Sequence, residues 1–287
     1  MKQTGTTTVE PLTDRIRKAV DQGKISIPPL PKLVTRLMQL LNDESGASSK
    51  QVAELIRNDP AVAASVLKTA NSAAFGGLNP ISDLSQAIAR LGFRQVSSVV
   101  TALSHGAHFS SDEPDKRVML ETLWGHAVAT ALVARSVAQL TGADSEESFV
   151  AGLLHDTGKL LVLKGVDYLQ SMTTPVRITS TVLDELMQVL HTELGHRTLV
   201  SWHLPDAISE VALHHHDRDL DFDKPLIVRV QAADAITQRI GEHPNPKPDL
   251  DLLEQHSVEL LNLSDLELAS LMVDLEDQIA ELKQLFR

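Results

Sequence analysis

The chain has no cysteine, one tyrosine, two tryptophans and six phenylalanines in 287 residues. Without cysteine there are no disulfides, no thiolate metal ligands and no cysteine nucleophile, so any bound metal must be taken by histidine, aspartate or glutamate. So few aromatics leave no stacking platform for single-stranded nucleic acid and require an aliphatic core. No apolar run approaches the roughly 18 to 20 residues needed to span a bilayer, and the first 25 residues lack the apolar stretch of a signal peptide. These absences predict a soluble, cytoplasmic protein with no membrane association. Positive charge is also scarce: 26 Lys and Arg against 38 Asp and Glu give a net charge of −12. Phosphate backbones and anionic lipid are repelled on average, which argues against specific DNA or RNA binding.

What is present is helix-forming sequence. Stretches rich in Ala, Leu, Val and Gln alternate with short Pro, Gly, Asp and Ser breaks, and no alternating strand pattern stands out, so the chain reads as all-α. Asp59-Pro60 opens one helix, an N-cap residue followed by proline at the first helical position, running to Asn71 and ended by Gly76-Gly77. Ser82 to Leu91 gives another, closed by Gly92. Glu121 to Leu140, Glu146 to Leu154, Thr181 to Trp202 and Leu226 to Ile240 follow. The Pro-rich connector from His243 to Pro248 leads to an acidic tail in which Leu268, Leu271, Leu275, Ile279, Leu282 and Leu285 recur at helical spacing. That stripe either packs on the parent domain or presents an exposed face to a partner.

Eight of the twelve histidines lie between His126 and His216. Imidazole and carboxylate are the standard nitrogen and oxygen ligands of divalent first-row metals, so histidines on several helices with an Asp beside one of them suggest a metal pocket. His155 and Asp156 are adjacent, about 100° apart on a helix, and need a helix end near Gly158 to point at one cluster. Asp234 falls on or beside the apolar stripe of its helix, where an uncompensated carboxylate is costly; a metal, a lysine or a capping donor would satisfy it.

Leu153-Leu-His-Asp-Thr-Gly-Lys159, with His126 before it and Asp234 after it, resembles the H…HD…D signature of HD-superfamily metal phosphohydrolases. Pro28-Pro-Leu-Pro31, Arg57-Asn-Asp-Pro-Ala61, Thr69-Ala-Asn-Ser72, Ala87 to Gly92 and Trp202-His-Leu-Pro205 narrow the resemblance to the HDOD family, the HD-related output domains of bacterial signalling. The resemblance implies an HD-superfamily helical bundle with an N-terminal helical subdomain. It divides the chain into an extension at 1–23, partly helical, an HDOD domain at 24–241 and a connector with helical tail at 242–287. Within the domain, 24–110 is the helical subdomain and 111–241 the metal-bearing one.

The same resemblance implies one or two divalent ions (Fe, Mn, Zn or Ni) on His126, His155, Asp156 and Asp234. His191, His215 and His216 look like the additional ligands of the sister HD-GYP phosphodiesterases, and His214 is left as a neighbour. Asp156 and Lys159 are the catalytic candidates if the protein is an enzyme, and Arg197 and Arg218 are nearby phosphate candidates. The remaining histidines, His243 among them, read as structural or surface residues.

Two departures matter. The acidic run Asp217 to Asp223 stands where an HD-GYP protein has Gly-Tyr-Pro, and Thr122 rather than Glu precedes His126 by one turn. The function expected is therefore a signalling output module with a signalling protein partner and a nucleotide or phosphate ligand. A metal-dependent phosphohydrolase or nucleotide phosphodiesterase and an inert interaction scaffold are the rivals.

Overall fold

A computed structural model describes residues 9–41, 46–72, 80–174, 176–219 and 223–285. Among them the chain forms helices only: α1 (Val9–Asp21), α2 (Lys32–Leu41), α3 (Ser49–Arg57), α4 (Pro60–Asn71), α5 (Leu84–Gly106), α6 (Pro114–Leu140), α7 (Ser145–Leu154), α8 (Gly158–Gln170), α9 (Ser180–Ser201), α10 (Asp206–His214), α11 (Pro225–Arg239), α12 (His256–Leu260) and α13 (Asp265–Leu285). The all-α reading holds. The expected stop at Gly76-Gly77 and residues 220–222 of the acidic run lie outside the described residues.

The helices fall into two compact units, each discontinuous in sequence: residues up to Pro29 with Leu154–His216, and Leu30–Leu153 with Asp217–Arg287. In the first, α1 lays Leu12, Ile16 and Ala19 against Leu161, Val162 and Val166 of α8 and Leu186, Leu190 and Leu194 of α9. Close approach is set by glycines. A Cβ on Gly165 would lie 2.9 Å from the Ile16 side chain, and one on Gly158 would lie 1.8 Å from the backbone oxygen of His191. Trp202, capping α9, donates its indole N–H to the Pro28 carbonyl at 2.7 Å, closing a loop of 174 residues.

In the second unit α4 starts as its sequence dictates. Asp59 accepts from the backbone N–H groups of Ala61 and Val62, at 3.1 Å each, and Pro60 occupies a position whose missing N–H costs nothing. Gly92 does not end its helix: at φ +78° it kinks α5, which resumes and buries Val96, Val99 and Val100. A left-handed glycine normally terminates a helix, but here the apolar face beyond it has a core to enter.

Helix α6 packs against α11 and α13. Leu268, Leu271, Leu275, Ile279 and Leu282 of α13 are buried. Burial of each removes about 1.5 to 3 kcal/mol of apolar exposure, so this stripe closes the core and is not an exposed output face. The Leu285 side chain lies outside the described residues.

Candidate metal centre

Helix α7 ends at Leu154, residues 155–157 turn, and α8 starts at Gly158. The turn releases His155 and Asp156 from the angular spacing of a continuous helix, and both side chains are buried. The Asp156 Oδ2 accepts from the Lys159 ammonium, with His155 Nε2 at 3.4 Å from the same oxygen. Oδ1 faces His191 Nε2 and His215 Nε2, each at 3.6 Å. Burial pushes the Asp156 carboxyl up, but the Lys159 charge and then His155 outweigh it and hold the group well below the usual carboxylate range. Asp156 is thus an anion at neutral pH.

His191 comes from α9, and His215 and His216 follow the end of α10. His191 Nε2 lies 3.3 Å from His215 Nε2 and 3.1 Å from His216 Nε2. His191 Nδ1 donates to the Met187 carbonyl at 2.6 Å, and His215 Nδ1 to the Val211 and Ala212 carbonyls, both at 3.1 Å. A carbonyl only accepts, so in the neutral rings Nδ1 carries the hydrogen and the Nε2 lone pairs of His191 and His215 face each other. Lone pairs at such a distance repel unless a cation lies between them.

His191 does not supply a proton to this gap near neutral pH. Burial, with His215 and Lys159 adding to it against the pull of Asp156, pushes the His191 ring down to about 4. A metal does fit: two nitrogens each about 2.0 to 2.1 Å from one ion stand roughly 3.0 to 3.4 Å apart. The backbone carbonyls play the part of the outer groups that fix imidazole tautomer at metal sites.

In the second unit His126 on α6 and Asp234 on α11 are buried and face each other, Nε2 to Oδ1 at 3.3 Å. His126 Nδ1 donates to the Glu242 carbonyl at 3.1 Å, with the Thr130 hydroxyl at 3.4 Å, so Nε2 is the nitrogen turned to Asp234, and in the neutral ring it carries the lone pair. The other Asp234 oxygen accepts from Gln238 at 2.9 Å.

His243 completes this group, its Nε2 3.7 Å from Asp234 Oδ1, and sequence reasoning missed it. Its Nδ1 accepts from the Asn245 backbone N–H at 2.8 Å, so in the neutral ring Nε2 carries the hydrogen and turns it toward the carboxylate. Nothing in the Pro-rich connector marks it beyond its position just past Gly241, whose φ of +87° turns the chain out of α11.

The other candidates sort plainly. Lys159 is drawn onto Asp156 rather than exposed at a helix end. His214 pairs with Glu210 at 3.4 Å, which leaves His215 and His216 as the register facing His191. Arg197 is engaged by Asp21 and Glu193, and Arg218 is exposed. His105 is buried against Phe109 and Trp124. The wall of a cavity of about 1050 Å³ in the second unit includes Phe109, Trp124, His126, Glu242, His243 and Lys283.

The model of the HDOD domain matches residues 27–218. The chain belongs to the HDOD family. An uncharacterised protein of Treponema pallidum is 26% identical over 246 residues, 82% of this chain and 47% of that protein, so the chain spans about half the relative's length. The fold is shared with a Shewanella amazonensis protein whose name assigns it to the metal-dependent phosphohydrolases: TM-score 0.79, 22% identity, covering 97% of this chain and 99% of that one. An HDOD domain protein of unknown function from Geobacter sulfurreducens matches with TM-score 0.72 and 24% identity, covering 97% and 98%. The HD-type helical fold read from the sequence is the fold observed.

Proposed function

We propose that this HDOD protein is a signalling output module built on a divalent-metal centre. His126, His155, Asp156, His191, His215, His216 and Asp234 would hold one or two ions of the iron, manganese, zinc or nickel type. The observation that carries this reading is the convergence of Nε2 atoms from His191, His215 and His216, with the Nδ1 hydrogens of His191 and His215 committed to backbone carbonyls. A scaffold with vestigial histidines has no use for lone pairs aimed at one point. Its output would go to a signalling protein, with a nucleotide or phosphate as the ligand that biases it. Such a ligand shifts the protein only if it binds one arrangement better than another.

The test is elemental analysis of protein purified without an affinity tag. At least one equivalent of metal is expected in the wild type and less in Asp156→Ala and His191→Ala, with the dissociation constant raised by about 10-fold or more in both. Full metal content with unchanged affinity in Asp156→Ala would overturn the assignment.

A phosphohydrolase is the second reading, favoured by the cavity that reaches His126 and His243 and is large enough for a substrate. A bound ion would supply an acidified water and polarise a phosphoryl oxygen. Of the chain's own groups, Asp156 would orient the ligand set, and Lys159 would reach a phosphate only by leaving Asp156. Efficient multiple turnover of cyclic di-GMP is not expected: Asp217 to Asp223 replaces the Gly-Tyr-Pro element, and the Thr122 hydroxyl is turned back to the Val118 carbonyl at 2.9 Å. Turnover by metal-loaded protein that disappears in His155→Ala and Asp156→Ala would put the protein among the enzymes.

A further inference from the structure

His126 is useful as a ligand only while Nδ1 keeps its hydrogen, and the group that keeps it there is the Glu242 carbonyl at 3.1 Å. Glu242 is fixed at two points. Its backbone N–H donates to the Thr237 carbonyl at 2.9 Å, and its carboxylate takes the ammonium of Lys283. Lys283 belongs to the last turn of α13, a helix that packs on α6 and buries Leu275, Ile279 and Leu282. It reaches Glu242 across Gly125, the residue immediately before His126. A Cβ at Gly125 would lie 3.1 Å from Lys283 Cε and 3.3 Å from Nζ, so the missing side chain leaves the lysine its path. The ion pair is part-exposed, 26% and 32% for the two side chains, and contributes little to stability as a pair. What it does is geometric.

We propose that Lys283 is a positioning residue for His126: through Glu242 it holds the carbonyl that takes the Nδ1 hydrogen, so that Nε2 is the nitrogen turned to Asp234. Resting on the metal reading, this makes the C-terminal helix a working part of the site. A partner that pulls the end of α13 away would loosen His126 without touching any ligand. Outer groups that orient a ligand imidazole carry such effects at metal sites generally.

The experiment compares the full-length protein with Lys283→Met, which keeps the stem and removes the charge, and Lys283→Arg, which restores it. Nitrogen-15 NMR of the histidine rings in metal-free protein, with His126 assigned by its loss in His126→Gln, reads the tautomer directly. Wild type is expected in the Nδ1–H form, Lys283→Met in a mixture of tautomers, and Lys283→Arg close to wild type. Titration with Mn2+ alone should show the binding step that His126→Gln removes weakened by about 10-fold or more in Lys283→Met and recovered in Lys283→Arg. Gly125→Ala should fall on the side of Lys283→Met. An unchanged tautomer and unchanged affinity in Lys283→Met would overturn the proposal. Wild type that takes no Mn2+ while the tautomer still responds would sink the metal reading and leave the positioning role standing.

Discussion

A buried imidazole is defined by what its two nitrogens face. His191 and His126 give Nδ1 to backbone carbonyls and so turn Nε2 toward the other candidate ligands. His243 accepts a backbone N–H at Nδ1 and so presents a hydrogen. His105 has neither arrangement and sits against Phe109 and Trp124, where burial first, and then the neighbouring His108, pushes it down to about 3. Its contribution to stability has a definite sign. Between that value and the ordinary histidine range near 6.5, the unfolded chain binds a proton at this residue and the folded chain does not. Stability therefore rises with pH across this window and is lost as pH falls, by up to about 1.4 kcal/mol per pH unit for one proton. His105→Phe, which keeps a ring among rings, should flatten the acid limb of a pH-dependent denaturation series between about pH 6 and 4. An unchanged slope would show that His105 takes up its proton in the folded state. The sequence marks His105 only as a histidine without a motif, since exclusion from water is a property of packing.

Helix boundaries show where the sequence speaks for itself. Asp59-Pro60 states a helix start in local chemistry, and α4 begins there. The helices read from Glu146 and Leu226 begin within a residue of α7 and α11. Gly92 misleads because a glycine at positive φ fits both a stop and a kink, and buried residues further along decide between them. The stripe from Leu268 to Leu282 was legible as an apolar face, but only the structure pairs it with α6. Gly158 carries information of another kind. It stands in the HD-like motif, and its role is contact: the α8 start touches the α9 backbone at His191 and Gly195, with room for hydrogen only. Gly158→Ala would set a Cβ 1.8 Å from one backbone oxygen and 2.5 Å from a backbone nitrogen, neither of which can rotate away. It should cost at least about 3 kcal/mol by chemical denaturation and shift His191 off His215, because displaced backbone in a packed crossing has no small remedy. A loss below about 1 kcal/mol would mean the two helices can part at little cost, and the His191 placement would lose its support.

Over the whole molecule the candidate ligands cluster without regard to chain order. His155, Asp156, His191, His215 and His216 belong to the unit that also contains the N-terminal helix, whereas His126 and Asp234 belong to the other. The family resemblance implied all seven but held no sign that α1 builds the core beneath the first group. Nor did it reveal that Lys283, near the far end of the chain, supports His126 through Glu242. In the neutral rings Nε2 of His191 and Nε2 of His215 meet as acceptors, a repulsion that the metal-free fold must carry and that a cation removes. Metal should therefore act on stability by more than mass action at a passive surface. A ligand confined to the folded state adds about 2.7 kcal/mol at 100 times its dissociation constant. For a chain of this size that raises the melting temperature by roughly 4 to 5 °C. Calorimetry of chelator-treated protein against protein reloaded with Mn2+ should show a rise of that order, smaller in His191→Ala and in Asp234→Asn than in wild type. Asp234→Asn keeps the side chain's shape and removes the charge that faces His126 Nε2, so metal-free Asp234→Asn should melt no lower than metal-free wild type. A metal-free variant that melts well below wild type would show that Asp234 is held by the fold itself and not reserved for an ion.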